Sequence, residues 1–163
     1  MPFLVTCLAI ACWTDLRDRR IPNGLAALVA AVGVGGAALG WLPPLGAREA
    51  LLGLATGGAL WLRCYALGML GAGDVKLFAA AAAWLGPVGA LQAAALTALV
   101  GGVVAAGMLL ASDGPRLAAA RVARAFHDPR ALHLDVVPRS ARVPYALAIA
   151  VGVLAALWHP EIR

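Results

Sequence analysis

Apolar residues run through this chain in stretches that leave no polar face, and that feature constrains its fold more than any other. The runs over 24–42, 49–70 and 88–111 approach or exceed the ~20 residues a helix needs to cross a bilayer core. Of the 163 residues, 63% are apolar and only 13% are charged. A soluble domain carries roughly 25% charged residues, and half that charge cannot coat a globule. The mean hydropathy of +0.87 points the same way. A soluble enzyme, a secreted disulfide scaffold and a disordered chain are poor fits. What remains is an all-α, polytopic membrane protein.

Laid end to end, the apolar runs give six transmembrane helices over 3–14, 24–42, 49–70, 75–86, 88–111 and 144–158. Pro43-Pro44 and Gly86-Pro87 break the chain between neighbours. The expected organisation is a single membrane domain over 1–163 with a cytoplasmic loop over 113–142. The cluster Asp15-Leu16-Arg17-Asp18-Arg19-Arg20 follows the first run, the reverse of a secretory signal. It places the end of the first helix in the cytoplasm and, with six spans, both termini outside. The cytoplasmic side then holds Arg17, Arg19, Arg20, Arg63, Lys76, Arg116, Arg121, Arg124, Arg130, Arg139 and Arg142, leaving only Arg48 and Arg163 outside. That asymmetry obeys the positive-inside bias. Reading 75–111 as one span would put the six arginines of 113–142 on the wrong side.

Two of the runs are short. Residues 3–14 and 75–86 each rise about 18 Å against a hydrocarbon core of about 30 Å. A start placed inside the first span would explain the first case, but charge and proline bound the second on both sides. Each short run meets an aspartate, Asp15 or Asp74, at its cytoplasmic end. A short helix leaves that residue below the membrane surface, where ionisable groups are costly and default to a functional reading.

The remaining polar features are plainer. Wound as a helix, 116–127 puts Arg116, Arg121, Arg124 and His127 opposite Ala118, Val122, Ala125 and Phe126, an amphipathic segment suited to lying in the membrane interface. A basic loop drawn to anionic lipid is the simple reading, and substrate docking is the sharper one. Gly36/Gly40 and Gly53/Gly57 have the spacing that lets helices pack closely. Trp41, Trp84 and Trp158 fall at outer helix ends, as interfacial anchors do. Cys7, Cys12 and Cys64 form no CxxC pair and read as small buried hydrophobes. No basic block with interleaved aromatics suggests a nucleic-acid partner.

Elimination narrows the chemistry. The two serines, Ser112 and Ser140, lie in the cytoplasmic loop, which disfavours an intramembrane serine nucleophile. His127, His133 and His159 lie outside the spans and no HExxH occurs, so no metal site and no cofactor are expected. Carboxylates remain. Asp15 and Asp74, on the first and fourth helices, face the same side of the membrane. Two carboxylates brought together share a proton, and such a pair can activate water against an amide carbonyl. The plain alternatives are an interfacial aspartate balancing nearby arginines for Asp15 and a helix cap for Asp74. Gly71 and Gly73, just before Asp74, allow unusual backbone angles and close approach of a neighbouring chain.

The run Asp15 through Asn23, with Ile21-Pro22-Asn23 six residues after the first aspartate, and the run Gly71-Ala72-Gly73-Asp74-Val75-Lys76-Leu77 together resemble the type IV prepilin peptidases. These are GxGD-type intramembrane aspartic proteases of the bacterial inner membrane. The resemblance covers nearly the whole chain, including the Val143-Pro144-Tyr145 lead-in to the last helix. It implies an aspartic endopeptidase with Asp15 and Asp74 as its catalytic pair, facing the cytoplasm. The partners it implies are a prepilin or pseudopilin with a basic leader cut after Gly, membrane lipid, and pilus assembly machinery. The chain is similar to the short, peptidase-only members that serve tight-adherence (Flp) pili, without the N-methyltransferase domain of the larger ones.

Residues of second rank follow. Lys76 is the one lysine among thirteen Lys and Arg and sits two positions after Asp74. It either tunes the pair or contacts substrate, or it is an ordinary snorkelling cation. Pro22 suits the first turn of the second helix, with Asn23 capping it, both shaping the turn beyond Asp15. Asp18 balances its arginine neighbours. Three other readings stay open: a preflagellin peptidase, a transporter using the aspartates as proton or cation sites, and a non-catalytic pilus assembly factor.

Overall fold

The computed structural model describes residues 2–18, 20–42, 45–67, 70–127 and 145–158. The described residues form six helices and no strand: α1 (Pro2–Asp18), α2 (Asn23–Ala38), α3 (Ala47–Ala66), α4 (Ala72–Ala82), α5 (Gly86–His127) and α6 (Tyr145–Trp158). Contacts between named residues fix their directions. Phe3 on α1 stacks on Trp84, beyond the end of α4, while Asp15 reaches Ala146 at the start of α6. Asn23 at the start of α2 meets Lys76, and Gly33 further along meets Ala83 and Trp84. Gly53 on α3 approaches Ala82, and Trp61 meets Phe78. The helices therefore alternate in direction. The end of α1, the starts of α2, α4 and α6 and the end of α3 gather at one face of the bundle.

The shortest helix is the most enclosed. Leu77, Phe78, Ala80, Ala81 and Ala82 of α4 are buried, as are Ala83, Trp84 and Leu85 in the turn that follows. α4 packs against α2, α3, α5 and α6. Its 11 residues rise about 16 Å. The outward faces of the surrounding helices carry exposed Val5, Ile10, Leu28, Leu51, Leu99, Val103, Leu147 and Val151. One helix, over Gly86–Gly107, is long and apolar enough by itself to cross a membrane, and Asn23–Ala38 and Tyr145–Trp158 are shorter apolar helices.

Local chemistry sets several helix ends. At the start of α3 the Gly46 N–H donates to Glu49 Oε2 at 3.1 Å, satisfying one of the amides a helix leaves unpaired. α2 closes with Gly40 at φ 72°, the Gly40 N–H on the Ala37 carbonyl and the Trp41 N–H on the Gly36 carbonyl. That is a Schellman turn, which needs a left-handed residue and hence glycine. After α4 the chain turns through 83–85 and restarts on Gly86, at φ 71°.

Four expectations are corrected. α1 runs to Asp18, so Asp15 lies inside its last turn instead of ending a short helix. Leu16, Arg17 and Asp18 point outward and extend the helix, because hydropathy marks the edge of an apolar run and not the edge of a helix. For the same reason α5 continues to His127, so 116–127 prolongs it and is not a separate element. The rest of the expected loop, 128–142, lies outside the described residues, as do Arg19, Pro43-Pro44, Val143-Pro144, His159 and Arg163.

Trp84 is not an interfacial anchor. It is 4% exposed, and its indole N–H donates to the Val29 carbonyl at 3.0 Å, with the ring against Gly33. Trp41 and Trp158 are exposed, as expected. Of the two glycine pairs, only Gly53/Gly57 mediates close packing: a Cβ at Gly57 would lie 2.6 Å from Ala82 Cβ, and one at Gly53 would strike the Ala82 carbonyl. Gly36 meets only Leu42 and Trp41, side chains of its own helix end, and Gly40 is a turn residue. Cys7 is buried and Cys12 and Cys64 are half-buried, all three as free thiols.

Candidate active site

Asp15 is half-buried in the last turn of α1. The carbonyl end of a helix carries partial negative charge, a poor place for a carboxylate. The compensation comes from another helix. Asp15 Oδ2 accepts the Ala146 N–H at 3.3 Å, one of the unpaired amides that open α6. That end of α6 carries the opposite partial charge.

Asp74 is the third residue of α4, also half-buried. Its Oδ2 accepts the Gly71 N–H at 3.1 Å, as Glu49 does for Gly46 at the start of α3. The capping role is therefore real. It engages one of a carboxylate's roughly four lone-pair sites, so it does not exclude acid–base work. Tyr145, the residue before Ala146, meets the Trp61 ring edge-on, and that indole also packs on Phe78, one turn past Asp74. The first two residues of α6 thus reach both motif-bearing helices: Tyr145 through Trp61 to Phe78 of α4, and Ala146 directly to Asp15 of α1.

The two sequence motifs meet directly. A Cβ on Gly73 would lie 3.3 Å from Ile21 Cβ, so glycine there permits the first motif's tail to press on the second. The expectation of unusual backbone angles at Gly71 and Gly73 is not met, since only Gly40 and Gly86 have positive φ among the described residues. Gly71 instead leaves room for the carboxylate it binds: a Cβ there would stand 3.2 Å from Asp74 Oδ2. Lys76 Nζ donates to Asn23 Oδ1 at 3.0 Å, across 53 residues of chain. Lys76 is thus neither a lone snorkelling cation nor paired only with its own helix.

Pro22 and Asn23 exchange their expected places. Pro22 is the N-cap residue and its carbonyl accepts the N–H groups of Leu25 and Ala26. Asn23 is the first helical residue, with its side chain committed to Lys76. Asp18 is exposed at the end of α1. The described residues include no group of His, Cys, Asp or Glu that could hold a metal ion.

Sequence reasoning missed the Ala146 amide and Trp61. A backbone donor has no side-chain signature, and only the start of a helix facing Asp15 marks it. Trp61 shares a stripe with Ala50, Gly53 and Gly57 on α3, but an apolar residue in a helix apolar on most sides carries no inward label.

The model of the type IV leader peptidase family matches residues 2–106, a span that includes both aspartates. The searches of curated proteins and of solved structures gave no match.

Proposed function

The chain belongs to the type IV leader peptidase family, whose members are membrane proteins, and from that premise we propose that it is an aspartic endopeptidase that removes the basic leader of prepilins or pseudopilins. In this reading one carboxyl of the Asp15/Asp74 pair is protonated and the other ionised. The ionised one takes a proton from water as the oxygen attacks the scissile carbonyl. The protonated one hydrogen-bonds the carbonyl oxygen as charge develops on it. Collapse of the tetrahedral intermediate breaks the C–N bond, and the departing amine takes the proton that the first carboxylate removed from water, which returns that carboxylate to its ionised form. The observation that carries this reading is the start of α6, where Ala146 binds Asp15 and Tyr145 packs through Trp61 on Phe78, one turn past Asp74.

The proposed setting is a single multi-pass domain in the bacterial inner membrane. Six alternating helices with apolar outer faces, and cations concentrated toward the motif end, support it. Both termini would then lie outside and the aspartates at the cytoplasmic face. α4, at about 16 Å, is shorter than a bilayer core of about 30 Å, which accounts for a carboxylate below the surface. The peptide bond cut would follow a glycine, whose flexibility eases the unwinding that cleavage needs. We assign the substrate to tight-adherence (Flp) prepilins, and the proposal concerns the peptidase step alone.

The test is co-expression with an Flp-type prepilin, read as a mobility shift, for wild type, Asp15→Asn and Asp74→Asn. Asn keeps size and hydrogen bonding but cannot carry the shared charge. The shift should appear with wild type and vanish in both variants at unchanged membrane levels. Cleavage by either variant would overturn the two-aspartate mechanism. No cleavage by wild type across several prepilins would overturn the peptidase reading.

A further inference from the structure

The inner stripe of α3 changes size along its length. Ala50, Gly53 and Gly57 let α3 close on the end of α4, where Gly57 meets Ala79 and Ala82. One turn later the stripe presents an indole, Trp61, at the end of α4 that carries Asp74. The ring is held on two sides: its centroid is 5.1 Å from Phe78, one turn past Asp74, and 5.6 Å from Tyr145, next to the amide that binds Asp15. Trp61 is 5% exposed, yet its Nε1 has no hydrogen-bond partner among the described residues.

The comparison with Trp84 sharpens this. Trp84 is as deeply buried, at 4%, and its N–H finds the Val29 carbonyl. Buried polar groups are almost always paired, so an orphan donor at the helix ends that carry the two candidate carboxylates calls for an acceptor supplied from elsewhere. A substrate segment unwound for cleavage has the complementary deficit. Its main-chain carbonyls leave their helical partners at a depth where water is scarce, and each needs a donor.

We propose that the Trp61 Nε1–H is a substrate-binding subsite, closed in the substrate-free protein, that takes a main-chain carbonyl oxygen of the peptide as its entry parts the ends of α3, α4 and α6. This rests on the leader peptidase reading. The subsite recognises backbone and not side chain, so it fits one enzyme acting on leaders of differing sequence. Phe78 and Tyr145 prevent the indole from turning its N–H away when no substrate is present. The carboxylates act on the bond, and Trp61 holds the strand beside it.

The test removes the donor in two variants, one of which keeps the shape of the ring. Trp61→Phe and a benzothienylalanine replacement at 61, which matches indole in shape without the N–H, are compared with wild type on a detergent-solubilised prepilin. Both should lower kcat/KM about 5- to 10-fold, the usual worth of one hydrogen bond, with most of the change in KM. In the Asp74→Asn background, where substrate binds without being cut, both should weaken prepilin affinity by the same factor. The benzothienylalanine variant should unfold at or above the parent's temperature, because an unpaired buried donor has been removed, while Trp61→Phe unfolds lower through the space its smaller ring leaves. Unchanged kcat/KM and affinity would overturn the subsite, leaving the N–H satisfied by the Tyr145 ring face. So would equal losses of activity and stability in the benzothienylalanine variant, which mark a packing role. Failure of wild type to cut any prepilin overturns the peptidase reading itself, a distinct result.

Discussion

Breaking the bond between Lys76 and Asn23 tests how the two motifs are held in register. The pair joins the start of α4 to the start of α2, at 3.0 Å, beside the contact of Gly73 with Ile21. A hydrogen bond to a charged group contributes about 1.5–3 kcal/mol when sheltered. Both partners here are exposed, so water competes for each and the contribution falls to about 0.5–1 kcal/mol. Lys76→Met and Asn23→Ala should each lower stability by that amount, and the double variant should lose little more than either single one. Because the pair acts through the register of α4 on α2, its loss should lower kcat/KM about 2- to 5-fold in each single variant and no further in the double. Lys76→Arg should recover part of the loss, since a guanidinium still donates but is longer and planar. Thermal unfolding in detergent and prepilin cleavage, measured on the same preparations, complete the cycle. Additive losses of activity would refute the tether and return Lys76 to a separate role at the substrate. Unchanged cleavage in Lys76→Arg and Lys76→Met would remove it from function altogether.

Two further outcomes follow from packing. Gly53→Ala should destabilise by about 2 kcal/mol or more, because its Cβ would meet the Ala82 carbonyl and the Gly86 Cα, backbone atoms that cannot swing aside. The same change at Gly36, where the nearest atoms are Leu42 side-chain carbons at 3.6 Å, should stabilise by up to about 1 kcal/mol through helix propensity. Equal effects at the two sites, read as unfolding temperatures, would refute the close α3–α4 approach. Thr97 is fully buried against Gly152 and its Oγ1 has no partner among the described residues. Thr97→Val, of nearly the same shape, should therefore raise the unfolding temperature by the equivalent of about 1 kcal/mol, and a fall would show that the hydroxyl is paired.

Asp15 and Asp74 stand out in the sequence because charge is so rare within its apolar runs. The starts of α2 to α6 fall within three residues of the apolar runs that announced them, since proline, glycine and charge act on the chain locally. The last turn of α1 and the long continuation of α5 were not legible, because Asp15 of α1 and Ser112-Asp113-Gly114-Pro115 of α5 are weak helix formers that announce a break, yet neither ends its helix.

Partners across the bundle were also hidden. Helices apolar on most faces carry no stripe that says which side turns inward. Nothing local distinguishes Trp84, buried on Val29, from Trp158 at the surface, or Gly53, pressed on α4, from Gly36. Asp15 is bound by a backbone amide 131 residues away, and Lys76 by a side chain 53 residues away. Composition and spacing determined that this chain makes apolar helices and singled out Asp15 and Asp74 as the candidate carboxyls. Tertiary packing decided what each carboxyl faces, because that depends on which helix ends meet and no single helix encodes its neighbour.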